Sequence, residues 1–190
     1  LSDPAPSAKL RLFAALELPP SHLDAAVSVI ERLRPQLEGI RWTDPAKLHL
    51  TIKFMGSVPG DRLPDVIGIC QKVAARHSPS TLVERGLGAF SSWRRARVLW
   101  VGYEDPEGAV GALARDLDGA LGETGIARDE RRLRLHLTLG RARTPVPLPD
   151  LEDDPPPALE PVMVDGFVLF RSHLGRSGST YEAIERIPLG

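Results

Sequence analysis

A chain of 190 residues, 42% hydrophobic and 26% charged, carries enough apolar side chains for a real core, in one globular domain or in two small lobes sharing an interface. A formal net charge of −1 excludes a generally basic nucleic-acid coat, so affinity for a polyanion must come from local clusters of cations. The single cysteine excludes an intrachain disulfide and points to a reducing, cytoplasmic setting, and no stretch approaches the roughly 18 apolar residues of a membrane span.

In chain order, KLRLFAALEL (9–18) reads as a strand, with Leu10, Leu12, Ala14, Leu16 and Leu18 on one parity and Arg11 and Glu17 on the other. PPSHLDAAVSVIERLRPQL then gives a helix, with Ser21 as its N-cap and Leu23, Ala26, Val27, Ile30 and Leu33 as its apolar stripe. A short extended piece at 40–43 precedes the strand KLHLTIKFMG (47–56). A helix over about 61–76 sets Val66, Ile69, Cys70 and Val73 at core spacing, which makes Cys70 a packing residue rather than a nucleophile.

Strands near 80–85 and 97–103 lead to a helix over about 106–122, with Val110, Leu113, Leu117 and Leu121 inward. RLRLHLTLGRAR (132–143) is the next strand. Residues 143–161 hold seven of the eighteen prolines and are expected as an exposed, acidic loop, because proline cannot donate to a ladder. Two strands, about 162–170 and 180–187, close the chain around the turn SHLGRSGS. His22 and His77 lie near helix ends and are expected at the surface. The sum is an α+β fold in which each half supplies a sheet layered with helices.

His-Leu-Thr occurs twice, at 49–51 and 136–138, at comparable places in the two halves, which suggests an internal duplication. On strand periodicity Leu48, Leu50 and Ile52 face inward, while Lys47, His49, Thr51 and Lys53 face outward. Likewise Leu133, Leu135, Leu137 and Leu139 oppose Arg132, Arg134, His136 and Thr138. A His and a Thr two apart on a strand can reach the same tetrahedral anion. One neutral imidazole can take a proton from water while a protonated one hands a proton to a leaving oxygen, and the hydroxyls can hold non-bridging phosphate oxygens. A zinc site would need a third protein ligand, and neither motif contains a carboxylate or Cys, so no metal is expected.

RLFAALELPP, RWTDPAKLHLTIKFMGSVP, GLGAFSSWRRARVLWVG, HLTLGRAR and FVLFRSHLGRSGSTYEAIERIPL together resemble the two-histidine phosphoesterase superfamily. The match is to its bacterial RNA 2′,3′-cyclic phosphodiesterases, also called 2′-5′ RNA ligases, the LigT-like family. The resemblance covers nearly the whole chain. It implies a single bilobal domain over 1–190, with two antiparallel sheets about a pseudo-two-fold axis, helices outside and a cleft between. It implies hydrolysis of a terminal 2′,3′-cyclic phosphate of RNA to a 2′-phosphomonoester, without ATP, metal or other cofactor, and with reversible 2′-5′ joining as a side activity.

Carried onto this sequence, His49 is the proton donor and His136 the acceptor, while Thr51 and Thr138 orient the phosphate. Arg141 matches a phosphate-contacting arginine and Phe54 an aromatic that stacks on the terminal base. By strict alternation both fall on the core side, so each strand must twist or bulge before them, which Gly56 and Gly140 permit.

Arg134, and with it Arg132, shares the His136 parity and is expected to contact RNA; Arg94, Arg95 and Arg97 form a second basic cluster whose role stays open. His173 and Tyr181 lie at the closing turn, which corresponds to the family's cleft wall. A monomer is expected. The rival readings are a relative acting on a small cyclic phosphate or a 2′-5′ oligoadenylate, and an RNA-end-binding protein without turnover.

Overall fold

The computed structural model describes residues 8–149, 159–175 and 178–190. The elements run β1 (Lys9–Leu16), α1 (Pro20–Leu33), β2 (Ile40–Trp42), β3 (Leu50–Pro59), α2 (Leu63–Ala74), β4 (Ser80–Phe90) and β5 (Ala96–Glu104). They continue as α3 (Ala109–Gly122), β6 (His136–Val146), β7 (Val162–Val164), β8 (Gly166–Gly175) and β9 (Gly178–Pro188). The expected α+β class holds.

The strands line up as β7-β4-β5-β6-β3-β1-β8-β9, with β2 on β6, and the recorded pairings are antiparallel. This order sets two halves side by side along one sheet. From the centre outward, one lobe reads β3, β1, β8, β9 and the other β6, β5, β4, β7. Each inner strand follows a strand–helix unit: β1 and α1 before β3, β5 and α3 before β6. The only registered contact between β3 and β6 is Leu50 with Leu137, the central residues of the two His-Leu-Thr runs. The pseudo-two-fold relation runs through that pair.

The apolar parity of each segment becomes core. Leu10, Leu12, Ala14 and Leu16 are buried, as are Ala26, Ile30 and Leu33 of α1, Val66, Cys70 and Val73 of α2, and Val110, Leu113, Leu117 and Leu121 of α3. Cys70 is a packing residue, and burial pushes its thiol up to about 12. Among the described residues no helix is long and apolar enough to cross a membrane.

Several expectations fail for local reasons. Ser21 does not cap α1. Pro19 is the N-cap and makes no side-chain bond, while Pro20 begins the helix at a position whose N–H would have no partner anyway. His22 is buried at 2% exposure rather than at the surface, bonded to the Tyr103 hydroxyl at 3.0 Å and the Glu160 carbonyl at 2.9 Å. It fastens the start of α1 to β5, with Glu84 3.5 Å away. His77 is partly covered and pairs with Asp116 of α3 at 3.0 Å.

Proline 145 does not end β6, which runs on to Val146 opposite Ala96. The first four residues of the expected 143–161 loop are therefore strand, and 150–158 lie outside the described residues. The last strand pair divides into three, with Asp165 separating β7 from β8. Residues 176 and 177 of the closing turn also lie outside the described residues.

Candidate active site

Both His-Leu-Thr runs lie at the seam, so Leu50 and Leu137, each 0% exposed, anchor the lobes to one another. The flanking His and Thr residues alternate to the opposite face and are half-buried. There they line one cleft of about 560 Å³, together with Phe54 and Arg141.

Phe54 and Arg141 arrive by matching irregularities. In β3, Ala15 pairs with Thr51 but Ala14 pairs with Lys53, so Ile52 is an extra residue. In β6, Trp100 pairs with Thr138 but Leu99 pairs with Gly140, so Leu139 is extra. Each extra residue sits three past its histidine. An inserted residue reverses the side-chain parity beyond it. Phe54 becomes 60% exposed and Arg141 turns to the cleft, as the functional reading of these positions requires.

The same reversal overturns one expectation. Lys53, expected on the His49 face, is buried at 1% exposure. Its ammonium donates to Asp118 at 2.6 Å, Asp129 at 3.1 Å and the Ala127 carbonyl at 2.9 Å. The glycines act less directly than expected, since the extra residues precede them; Gly56, at φ +68°, serves a second irregularity at Met55.

The imidazoles are held alike. His49 Nδ1 donates to the Lys47 carbonyl and His136 Nδ1 to the Arg134 carbonyl, both at 2.7 Å and both two residues upstream. A carbonyl can only accept, so the proton is fixed on Nδ1 and Nε2 is free for chemistry. His49 Nε2 lies 3.1 Å from the Thr51 hydroxyl, and Arg141 reaches the Thr138 hydroxyl at 3.5 Å.

Burial lowers both pKa values from the ordinary 6.5, against the opposing pull of the carbonyl acceptors. Arg141 lowers both further, His136 lowers His49, and Arg134 lowers His136. The repulsion from His136 on His49 makes a doubly protonated pair unfavourable. Arg11, Lys47 and Arg141 on the cleft wall make it electropositive, suited to an anion. Among the described residues no group of three or more His, Cys, Asp or Glu side chains could hold a metal ion.

An aromatic wall flanks each histidine. Phe13 and Tyr181 stand 5.0 and 5.2 Å from the His49 ring, and Phe90 and Trp100 stand 5.0 and 6.3 Å from the His136 ring. Of the two residues expected at the cleft wall, Tyr181 lines the cleft, whereas His173 is exposed and pairs with Glu182 at 2.7 Å. Arg134 lies over Phe90 and Trp100, Arg132 is exposed, and Arg97 donates to the Arg143 carbonyl. Phe13, Phe90 and Trp100 escaped the sequence reading. Phe13 had a signal: it shares the parity of Arg11 rather than of the leucines.

A family model described as LigT like Phosphoesterase matches residues 16–100. A protein of Thermus thermophilus named RNA 2′,3′-cyclic phosphodiesterase is 30% identical over 95% of this chain and 90% of its own length. One of the same name from Methanothermobacter thermautotrophicus is 31% identical over 72% of this chain and 73% of its own. Escherichia coli LigT in its apo form superposes with a TM-score of 0.79 at 26% identity, over 96% of this chain and 99% of that one. LigT has also been solved in complex with 3′-AMP.

Proposed function

Because the chain belongs to the LigT-like phosphoesterase family, we propose that it is an RNA 2′,3′-cyclic phosphodiesterase. The observation that carries the reading is the matched pair of imidazoles at the seam, each with Nδ1 tied to a backbone carbonyl, which leaves proton exchange to Nε2. Hydrolysis of a cyclic phosphate needs a base on the attacking side of phosphorus and an acid on the leaving side.

In this reading the terminal nucleoside stacks on Phe54, on the His49 lobe, and the phosphate lies between the two threonines with Arg141 on a non-bridging oxygen. His136 takes a proton from water, whose oxygen attacks phosphorus. The bond from phosphorus to O3′ breaks, and His49 protonates the departing oxygen. The product is a 2′-phosphomonoester. Neither ATP nor a metal takes part, because both histidines, both threonines and Arg141 already supply proton transfer and charge stabilisation. Both histidines come from one chain, so a monomer suffices, and a cytoplasmic setting suits the one buried thiol.

The test is hydrolysis of an oligonucleotide ending in a 2′,3′-cyclic phosphate, with the phosphate position of the product determined and a chelator present. We expect a 2′-phosphate at an undiminished rate. Activity abolished by the chelator and restored by zinc or manganese refutes metal independence; faster turnover of a mononucleotide or a 2′-5′ oligoadenylate favours a small-molecule enzyme. Tight binding of the RNA end without turnover makes the protein a binder.

A further inference from the structure

The cleft wall on the His49 side is laid out in rows across neighbouring strands. Ala15 of β1 stands opposite Thr51 of β3, Phe13 opposite Phe54 and Phe170, and Arg11 opposite Ser57 and Ser172. Directly opposed residues of antiparallel strands share a face, so the wall offers first the threonine hydroxyl, then an aromatic floor, then a polar row. The floor is continuous, with the Phe13 ring centroid 6.1 Å from that of Phe54 and 5.2 Å from that of Phe170. Tyr181, the partner of Ser172 on β9, meets Phe13 edge-on at 5.0 Å. Arg11 supplies the charge of the polar row. Its side chain is exposed and lines the cleft, and among the described residues no carboxylate pairs with it. Ser57 and Ser172 beside it are small and neutral, and Glu182 is engaged by Arg171 and His173 on the other face of the sheet.

Ala15 and Arg11 are four residues apart on β1, about 13 Å along the strand. With the cyclic phosphate beside Thr51 and its base on Phe54, that separation sets the guanidinium at the outer edge of a purine, past the point where a pyrimidine ends. A guanidinium only donates, and in a fixed fork, so its match is an edge with two adjacent acceptors. Guanine offers O6 and N7 there, whereas adenine sets a donor beside N7. We propose that Arg11 reads the base of the terminal nucleotide and that the chain prefers RNA ending in guanosine 2′,3′-cyclic phosphate. The proposal rests on the phosphodiesterase reading and adds to it the identity of the base at the end that is opened.

The experiment compares kcat/KM for four oligonucleotides that differ only in the base carrying the 2′,3′-cyclic phosphate. With the natural chain the guanosine end should exceed the other three by about tenfold, the scale of one bidentate base contact. Inosine keeps O6 and N7 and should match guanosine, whereas 7-deazaguanosine lacks N7 and should lose most of the preference. Arg11→Ala should bring the four ends close to one rate. Arg11→Gln, whose amide both donates and accepts, should pass the preference to adenosine, a gain that a damaged fold cannot produce. Equal rates at all four ends with the natural chain, full use of 7-deazaguanosine, an Arg11→Ala loss shared equally by the four ends, or an Arg11→Gln chain that still prefers guanosine overturns the base reading and leaves the phosphodiesterase reading standing. A natural chain that opens none of the four ends overturns the phosphodiesterase reading, and the base reading falls with it.

Discussion

At the scale of single residues, two imidazoles of like geometry must do opposite work, and pH is the means of separating them. Both are held below 6.5, first by burial and then by the cations and imidazole nearby. The base, His136, is thus neutral at a lower pH than a free histidine, and the acidic limb of kcat/KM should fall below pH 6.5. Arg141→Ala removes one repulsive charge from both, so it should move that limb upward while lowering kcat/KM by roughly tenfold or more through the lost phosphate contact. A limb that stays in place shows that Arg141 does not help to lower the pKa of the base.

Folding stability follows the same shifts. The unfolded chain binds protons on these histidines more readily than the folded one, so their contribution turns against folding as pH drops through 6.5 towards the lowered values. Replacing one histidine also separates the roles: His49→Ala should be partly rescued by a p-nitrophenyl ester, whose leaving group needs no acid, and His136→Ala should not. The reverse pattern would exchange the assignments. His49, Thr51, His136 and Thr138 were legible in the sequence because a strand period of two places them by arithmetic. Phe90 and Trp100 were not, because aromatic residues on a half-apolar strand are also what an ordinary core contains.

At the scale of the element, the bulges decide the site. Strict alternation placed Phe54 and Arg141 in the core and Lys53 in the cleft; one extra residue in each strand reverses all three placements. The sequence required an irregularity before Phe54 and Arg141 but did not locate it, since a bulge is fixed by the partner strand as well as its own. Lys53 is the structural cost of the reversal, and it is met by Asp118 at the end of α3 and Asp129 in the segment leading towards β6.

Partial burial raises the Asp118 carboxyl, but Lys53 and the Asp129 N–H outweigh it and hold the group below its usual value. That contribution is present above pH 3.8 and is lost as pH falls through the lowered value. Lys53→Met should destabilise the fold by about 3 kcal/mol, the scale for breaking a buried ion pair from one side. Denaturant unfolding checks this, and a loss under about 0.5 kcal/mol, the range of an ordinary surface change, rules out the anchoring role.

At the scale of the whole molecule, the order of elements and the duplication were readable from spacing, whereas the joining of the lobes was not. Nothing in the chain announces that Leu50 and Leu137 meet, because pairing between strands so distant in sequence is decided only when both lobes are built. That meeting has a consequence for what acid and base mean here. Around Leu50 and Leu137 the two halves offer the same imidazole, the same carbonyl tether and the same bulge; Lys53 answers to Gly140 away from the cleft, and on the cleft side the strands differ in Phe54 on one and Arg141 on the other. The cleft is a socket with two nearly equal ends, and only its fittings say which way round the plug goes in. Exchanging them in a Phe54→Arg, Arg141→Phe double variant should turn the docked ribose end for end. The product should still be a 2′-phosphate, since the substrate carries its own regiochemistry through the rotation. The p-nitrophenyl rescue should pass from the His49→Ala background to the His136→Ala background, and rescue that stays with His49→Ala would show that the two ends are distinguished by something deeper in the wall.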